Sequence, residues 1–420
     1  MSPMLTVAIL ALALLAIANF CLEMRIIYPP VVFCLVWALD LGLLWIAGKS
    51  FFPLTEETLV IFCSGAVAFS LGSATALLVS ARAQRSNKTF QPADKLLTFL
   101  VFILAASMPF AAYYMIQLAS AFNTSTLLLA TRMAMLNAYE TGEQSLLLGG
   151  VMTLSLILAT VTFLESHQRR TRAVIAISAA LVINFLSGGR GAIITLGLSL
   201  LCIYFMTASR VRWRSVATIL LILLAIFASM AILVQKGDAR ADASIAENAR
   251  PLLDGFILYA CGGMVGFDKV IRQPNIIVHN WQINRFFLET INRLGGHFDL
   301  PSLHAEYVSL GLHYSSNVYT AYFAYLDLGF VPMMLALAFI GFIVCLTYRH
   351  GLCGNKVSLL LYAFFFSSIV LTPFNEQFFM QLNYIVKLVA VTWIIYRLAP
   401  RLQGAFQSLN NRVATLYGAR

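Results

Sequence analysis

The chain has 420 residues, of which 60% are hydrophobic and 11% charged, with a formal net charge of +10 and a mean hydropathy of +0.83. A soluble domain carries about 25% charged residues, so a soluble fold is excluded: most of its surface would be apolar. Lipid is the remaining destination, and backbone groups in lipid must be paired internally, which leaves helices or a closed barrel.

The apolar runs are long and do not alternate, so they predict helices and not barrel strands. In chain order they cover residues 4–22, 31–47, 58–80, 96–118, 146–164, 173–186, 192–208, 216–234, 318–346, 357–371 and 382–398. A spanning helix needs about 20 apolar residues, so the prediction is an all-α polytopic transmembrane bundle of about eleven spans, within a range of about 10–12. The first run has no positive segment ahead of it and is followed by a poor cleavage site at 23–25, so it reads as a retained helix.

Lys and Arg fix the orientation. With eleven spans, Arg82/Arg85/Lys88/Lys95, Arg169/Arg170/Arg172, Arg210/Arg212/Arg214 and the tail arginines Arg397, Arg401, Arg412 and Arg420 fall on one side, with Arg25, Arg349 and Lys356. The opposite short loops hold only Lys49, Arg132 and Arg190. The positive-inside rule then puts the N-terminus outside and the C-terminus in the cytoplasm. The net charge follows from this asymmetry, and no nucleic-acid partner is implied. Of the seven cysteines, five lie in or at the ends of apolar runs, without metal spacing or a disulfide framework; they read as small core residues.

No repeat or low-complexity linker divides the chain. Three regions follow: a bundle of about eight spans over 1–234, a large outer loop over 235–317, and three spans with a cytoplasmic tail over 318–420. Residues 251–271 of the loop, PLLDGFILYACGGMVGFDKVI, carry apolar residues at helical spacing interrupted by Gly255, Gly262, Gly263 and Gly266. This predicts an amphipathic or re-entrant helix at the outer membrane surface. A second outer segment, 119–145, has a possible interfacial helix at 126–136. A site is to be looked for in these loops, since loops carry function more often than spans do.

Three clusters have the residue types for chemistry. Arg190 sits in LSGGRGA at an outer boundary, where glycines let backbone N–H groups approach a ligand and a guanidinium matches phosphate oxygens. The next helix starts beside it, so its N-terminal dipole favours the same anion; the plain alternative is a turn whose Arg snorkels to headgroups. In 311–328, GLHYSSNVYTAYFAYLDL, His313, Asn317 and Thr320 open the next span and Asp327 lies ten residues past Asn317, about 15 Å deeper on a helix. Lys387 in the last span is a possible partner for Asp327, and Asp40 in the second span reads as a structural acid. Arg285, Glu289 and Arg293 share one helical face by their i, i+4, i+8 spacing, as a salt-bridged surface or a cationic patch braced by Glu289. No Walker, GxGxxG, HExxH, GxSxG or DxD pattern occurs, so neither a metal nor a cofactor is called for.

At these residues the chain resembles the bacterial oligosaccharide repeat-unit polymerases, the O-antigen polymerase (Wzy) family. The likeness lies in the span plan with one late periplasmic loop, the SGGRG turn, the Gly-rich segment DGFILYACGGMVGFDKV, and NVYTAYFAYLDLGFVPMMLALAFIG after the loop. It covers most of the chain in layout but only some fifty residues in motif. The related O-antigen ligases have adjoining His and Asn residues at this point, whereas His313 and Asn317 are four apart, which favours polymerase over ligase.

The resemblance implies a metal-independent glycosyltransferase of the inner membrane. It would move a growing glycan from undecaprenyl pyrophosphate to the next lipid-linked repeat unit at the periplasmic face. Arg190, Arg285 and Arg293 would hold the pyrophosphate, His313 or, second, Glu289 would be the base, and Asn317, Tyr319 and Asp327 would orient and brace. The implied partners are the lipid-linked oligosaccharides, membrane lipids and a chain-length-regulating co-polymerase. An O-antigen ligase and a lipid-linked oligosaccharide flippase or exporter stay as alternatives. The flippase reading calls for internal repeats and midplane charges spread over many helices.

Overall fold

The computed structural model describes residues 3–48, 50–80, 92–122, 124, 126–140, 146–167, 169–208, 210–233, 244–273, 282–301, 307–311, 314–317 and 319–402. Fourteen α-helices are described: α1 (Pro3–Glu23), α2 (Pro29–Ala47), α3 (Glu56–Ser80), α4 (Asp94–Ala119), α5 (Leu127–Glu140), α6 (Leu146–Leu164), α7 (Arg170–Leu186), α8 (Arg190–Thr207), α9 (Trp213–Leu233), α10 (Ile245–Arg272), α11 (Arg285–Arg293), α12 (Phe330–Leu352), α13 (Lys356–Val370) and α14 (Leu382–Trp393). A short antiparallel pair, β1 (Val308–Ser309) with β2 (Ser315–Ser316), is the sheet among the described residues.

The protein is an all-α, multi-pass membrane protein. Among the described residues nine helices are long and apolar enough to cross a bilayer: α1, α2, α3, α4, α6, α8, α9, α12 and α14 with its continuation. The two other predicted runs are also helices, but shorter, α7 with 17 residues and α13 with 15. A 15-residue helix rises only about 22 Å, against a hydrocarbon core of about 30 Å. Many side chains that would be unacceptable in water, such as Leu14, Leu78, Phe110 and Val331, are exposed on the outside of these helices, where lipid solvates them.

The centre of the bundle is built on α3 and α12. A Cβ at Gly72 would strike the Ala338 carbonyl, and one at Gly341 would strike the Phe69 carbonyl, so the two backbones touch. Small residues at such a seam are how membrane helices gain van der Waals contact where lipid offers no hydrophobic drive. Ser73 adds a hydrogen bond from its hydroxyl to the Gly341 carbonyl at 3.1 Å. Beside this seam, Trp37 meets Phe62 at 4.6 Å and Tyr322 edge-on at 5.0 Å, and Phe267 stacks on Phe62 at 5.5 Å. That aromatic cluster joins α2, α3, α10 and the segment before α12.

This last segment corrects a prediction. The run 318–346 is not one helix: Ala321–Leu328 is a buried 3-10 helix, Gly329 turns the chain with φ +82°, and α12 begins at Phe330. The segment is fastened sideways, not continued. Ala321 N–H donates to the Thr372 carbonyl at 2.8 Å, Tyr322 hydroxyl to the Phe62 carbonyl at 3.0 Å, and Tyr325 hydroxyl to Glu376 at 2.7 Å. Glu376 in turn accepts from the backbone N–H groups of Phe378, Phe379 and Met380 at 2.6, 3.0 and 2.8 Å. Asp327 therefore precedes the span and is not two to three turns deep within it.

The segment 251–271 belongs to α10, a 28-residue helix that begins at a capping box. Ser244 hydroxyl accepts from Glu247 N–H at 3.3 Å, and Glu247 carboxylate accepts from Ser244 N–H at 2.6 Å. Residues 260–268 are buried one after another, so protein covers this half of the helix on all sides and it does not lie on a membrane surface. Asp268 anchors it, accepting from Thr55 N–H at 2.7 Å, from Thr55 hydroxyl at 2.6 Å and from Arg272, which also donates to the Pro53 carbonyl. The α2–α3 connection thereby holds α10, and the end of the bundle that carries it is termed the loop end below.

The opposite end carries the basic clusters and is pinned by ion pairs. Arg172 and Arg169 reach Asp94, Arg349 reaches Glu23 at 2.7 Å, and Lys356 reaches the buried Glu165 at 2.7 Å. Tyr396, in a π-helical turn at Ile394–Leu398, donates to the same Glu165 oxygen at 2.8 Å. All seven cysteines are free thiols.

Candidate functional site

The site is assembled from the turn between α7 and α8. Ser187 N–H donates to the Ile183 carbonyl at 3.1 Å, Gly188 N–H to Phe185 at 3.0 Å and Gly189 N–H to Asn184 at 3.2 Å, which closes the end of α7. Gly188 has φ +67°, a conformation L-residues rarely adopt, and a Cβ there would lie 2.8 Å from the Cβ of Arg132. The turn is thus packed directly on α5. It delivers Arg190 as the first residue of α8, 9% exposed.

The Arg190 guanidinium donates to the Tyr259 hydroxyl at 3.3 Å, and its carbon lies 5.5 Å from the centre of the Tyr259 ring. Tyr259 comes from α10 and packs against Phe374, in the connection after α13, at 6.3 Å. Arg132 is near enough for its charge to repel that of Arg190. Burial lowers the Arg132 pKa below the ordinary arginine value, and the nearby Tyr307 acts in the opposite sense. Among the described residues Arg132 makes no hydrogen bond and no ion pair. Two guanidiniums, one phenol and the N-terminus of an 18-residue helix therefore converge at the loop end. Each of these favours an anion.

An apolar groove of about 690 Å³ is linked to this cluster through Phe374. Thr6 and Leu10 of α1, Leu39, Asp40 and Leu43 of α2, and Val370 and Phe374 line it. Phe374 is shared, forming part of the groove wall while packing on the Tyr259 that holds Arg190. Asp40 is a carboxyl on an otherwise hydrocarbon lining.

The other sequence candidates are distributed differently. Arg285 is buried and donates from Nε to Glu289 at 2.8 Å and from a terminal nitrogen to the Pro301 carbonyl. The predicted i, i+4 pair is formed, and it ties α11 to the segment that follows. The Glu289 carboxylate is thereby engaged by the Arg285 guanidinium. Arg293 is exposed at the end of α11 and repels Lys387 of α14. Asp327 lies in the 3-10 helix ahead of α12, and among the described residues no ion pair joins it to Lys387. Asn317 is half-buried, and Tyr319 is buried with its ring 4.6 Å from Phe323. His313 lies outside the described residues, as do His304 and Glu306.

Tyr259, Arg132 and Glu376 were not legible as functional positions. Arg132 stood in the sequence only as one of three stray cations on its side. Tyr259 precedes the glycines of α10, yet nothing in its neighbours names an arginine 69 residues away as its partner. No family model, no curated protein and no solved structure matches the chain.

Proposed function

We propose that the protein polymerises lipid-linked oligosaccharide repeat units at the non-cytoplasmic face of the bacterial inner membrane. The loop end is the periplasmic end, the N-terminus is periplasmic, and the basic end with the C-terminus faces the cytoplasm, in keeping with the positive-inside rule. The observation that carries this reading is Arg190, buried at a helix N-terminus, held by Tyr259 and linked through Tyr259 and Phe374 to an apolar groove. A polar anion site joined to a hydrocarbon groove suits a substrate with a charged head and a polyprenyl tail.

In the reaction, an acceptor hydroxyl on one lipid-linked repeat unit attacks the anomeric carbon of the reducing-end sugar on the donor. The bond from that carbon to the pyrophosphate oxygen breaks, and undecaprenyl pyrophosphate leaves with the electron pair. Arg190 offsets the charge that develops on the leaving oxygen, a task for which preorganised donors away from water are suited. His313 takes the hydroxyl proton. Arg285, already neutralised by Glu289, braces the periplasmic loop, and Arg293 with Lys387 supplies positive potential around it. A co-polymerase partner would set chain length from the periplasmic side.

The test is the surface-glycan ladder of a strain deleted for the gene, compared with its parent. Collapse to core plus a single repeat unit is the expected outcome. Core alone, without any repeat unit, would overturn the reading in favour of a ligase or flippase. In the complemented strain, Arg190→Ala should give the deletion phenotype at unchanged protein level, and Arg190→Lys should fail as well, since a point charge cannot reproduce bidentate binding.

A further inference from the structure

We infer that Arg132 of α5 is a second ligand of the anion held at Arg190, and that the two arginines together take a diphosphate-bearing headgroup. This deepens the proposed function by giving its anion site a second cation and a charge preference, and it rests on that reading only for the identity of the lipid.

The argument starts from charge. Arg132 and Arg190 repel each other across the α5–α8 junction, Arg190 buried and Arg132 half-buried. Bringing two like charges together away from solvent is unfavourable, and the cost grows as the local dielectric falls. Arg132 has no carboxylate and no carbonyl as a hydrogen-bond partner among the described residues. Elsewhere in this protein buried arginines are neutralised: Arg285 by Glu289 and Arg172 by Asp94. Arg132 stands apart from that pattern, and an anion between the two guanidiniums would remove the repulsion.

The backbone points the same way. Gly188 is held at φ +67°, and its missing Cβ makes room for the Arg132 stem at 2.8 Å. The turn that starts α8 and the stem of Arg132 are therefore built against each other, which places Arg132 beside the start of α8. Two neighbouring planar forks suit a ligand with two adjoining phosphoryl groups. A single phosphodiester would be matched by Arg190, Tyr259 and the helix N-terminus without a second guanidinium. On this account α5, too short to span, is a substrate-binding element that lies against the span bundle.

The experiment uses the full-length protein in nanodiscs of zwitterionic lipid, titrated with inorganic pyrophosphate by calorimetry. Saturable binding is expected, weakened at least tenfold by Arg132→Ala and by Arg190→Ala, and recovered in part by Arg132→Lys. Wild-type affinity in Arg132→Ala would overturn the inference. Should Arg132→Ala fail to fold by gel filtration, Arg132→Gln, which keeps the stem against Gly188, takes its place with the same two outcomes. Inorganic phosphate and discs containing phosphatidylglycerol separate the sources. Phosphate binding as tight as pyrophosphate, or loss of pyrophosphate binding in the anionic discs, would assign the pair to a single phosphate or a phospholipid headgroup and overturn the diphosphate preference. Because no glycan is involved, this outcome is independent of the ladder experiment. Pyrophosphate binding with an unchanged ladder would reject the polymerase and keep the site.

Discussion

The Tyr259 hydroxyl lies 3.3 Å from a terminal nitrogen of Arg190, and the centre of the same ring lies 5.5 Å from the guanidinium carbon. One side chain of α10 thus holds the first residue of α8 in two ways, by a hydrogen bond and by the face of an aromatic ring. Loop and bundle meet at this point, and the orientation of Arg190 depends on α10 being seated.

Separating the two contacts gives the first prediction. Tyr259→Phe removes the hydrogen bond, worth about 0.5–1.5 kcal/mol, and leaves the cation–π contact, worth about 0.5–2 kcal/mol. Tyr259→Ala removes both. Polymer output, read by ladder densitometry at matched protein level, should fall from wild type to Phe to Ala. Output unchanged in Tyr259→Ala would mean that Arg190 is oriented by other contacts.

Seating of α10 depends on Asp268, whose side chain is 2% exposed and takes three donors. Asp268→Ala leaves the Thr55 N–H without its acceptor and Arg272 without its counter-charge, at a cost of about 3 kcal/mol, the lower end for a broken buried pair because Arg272 is 42% exposed. The melting temperature of the purified protein should fall, and Cys261, fully buried two turns before Asp268 on α10, should become reactive to maleimide in a background with the other cysteines replaced. A stable variant with Cys261 still protected would show that the aromatic cluster alone seats the helix.

At the basic end, Glu165 is 2% exposed and receives both Lys356 and Tyr396. Lys356→Met should destabilise by about 3–5 kcal/mol, because a buried carboxylate loses its counter-charge. Adding Glu165→Gln should recover most of that loss, since a neutral pair carries no uncompensated charge. A double-mutant cycle on thermal stability measures the coupling. A coupling of zero would place the two residues in separate environments.

The start of α10 should respond to acid. The Glu247 carboxyl is held below its ordinary value of 4.5, chiefly by the hydrogen bond it accepts from the Ser244 backbone and then by the Ser244 side chain. A carboxyl with a lowered folded pKa adds stability that is present above the ordinary value and is lost as pH falls through the lowered one. Amide exchange over 244–250, compared between wild type and Glu247→Gln at each pH, should differ near neutrality and converge in acid. A difference that persists in strong acid, where the carboxyl is protonated in folded and unfolded chain alike, would assign the effect to packing and not to the cap.

The eleven apolar runs were readable because a helix in lipid needs little more than length and hydrophobicity. Ten of the eleven fall on helices much as read, the eleventh, 318–346, is an α-helix only from Phe330 on, and the Arg285–Glu289 spacing forms the pair it suggested. Residues 318–329 misled for a physical reason. Tyr322, Phe323 and Tyr325 are as hydrophobic as a span requires, but the two tyrosine hydroxyls and the Ala321 backbone are bound to α3 and to the α13–α14 connection, information that lies 51 to 260 residues away. Arg132 and Tyr259 escaped for the same reason. A lone cation and a lone phenol gain meaning from what faces them, and only the packing of α5 and α10 on the Gly188 turn supplies that.

The seam between α3 and α12 bears on how descendants of this gene can vary. Where backbone meets backbone at Gly72 and Gly341, no larger residue can be inherited without a matching retreat on the facing helix. On α9, by contrast, Leu220, Leu221, Ile222 and Leu224 face lipid and can be exchanged among apolar residues at little cost. In divergent relatives, this pair of glycines would stay recognisable after the α9 sequence had drifted beyond alignment.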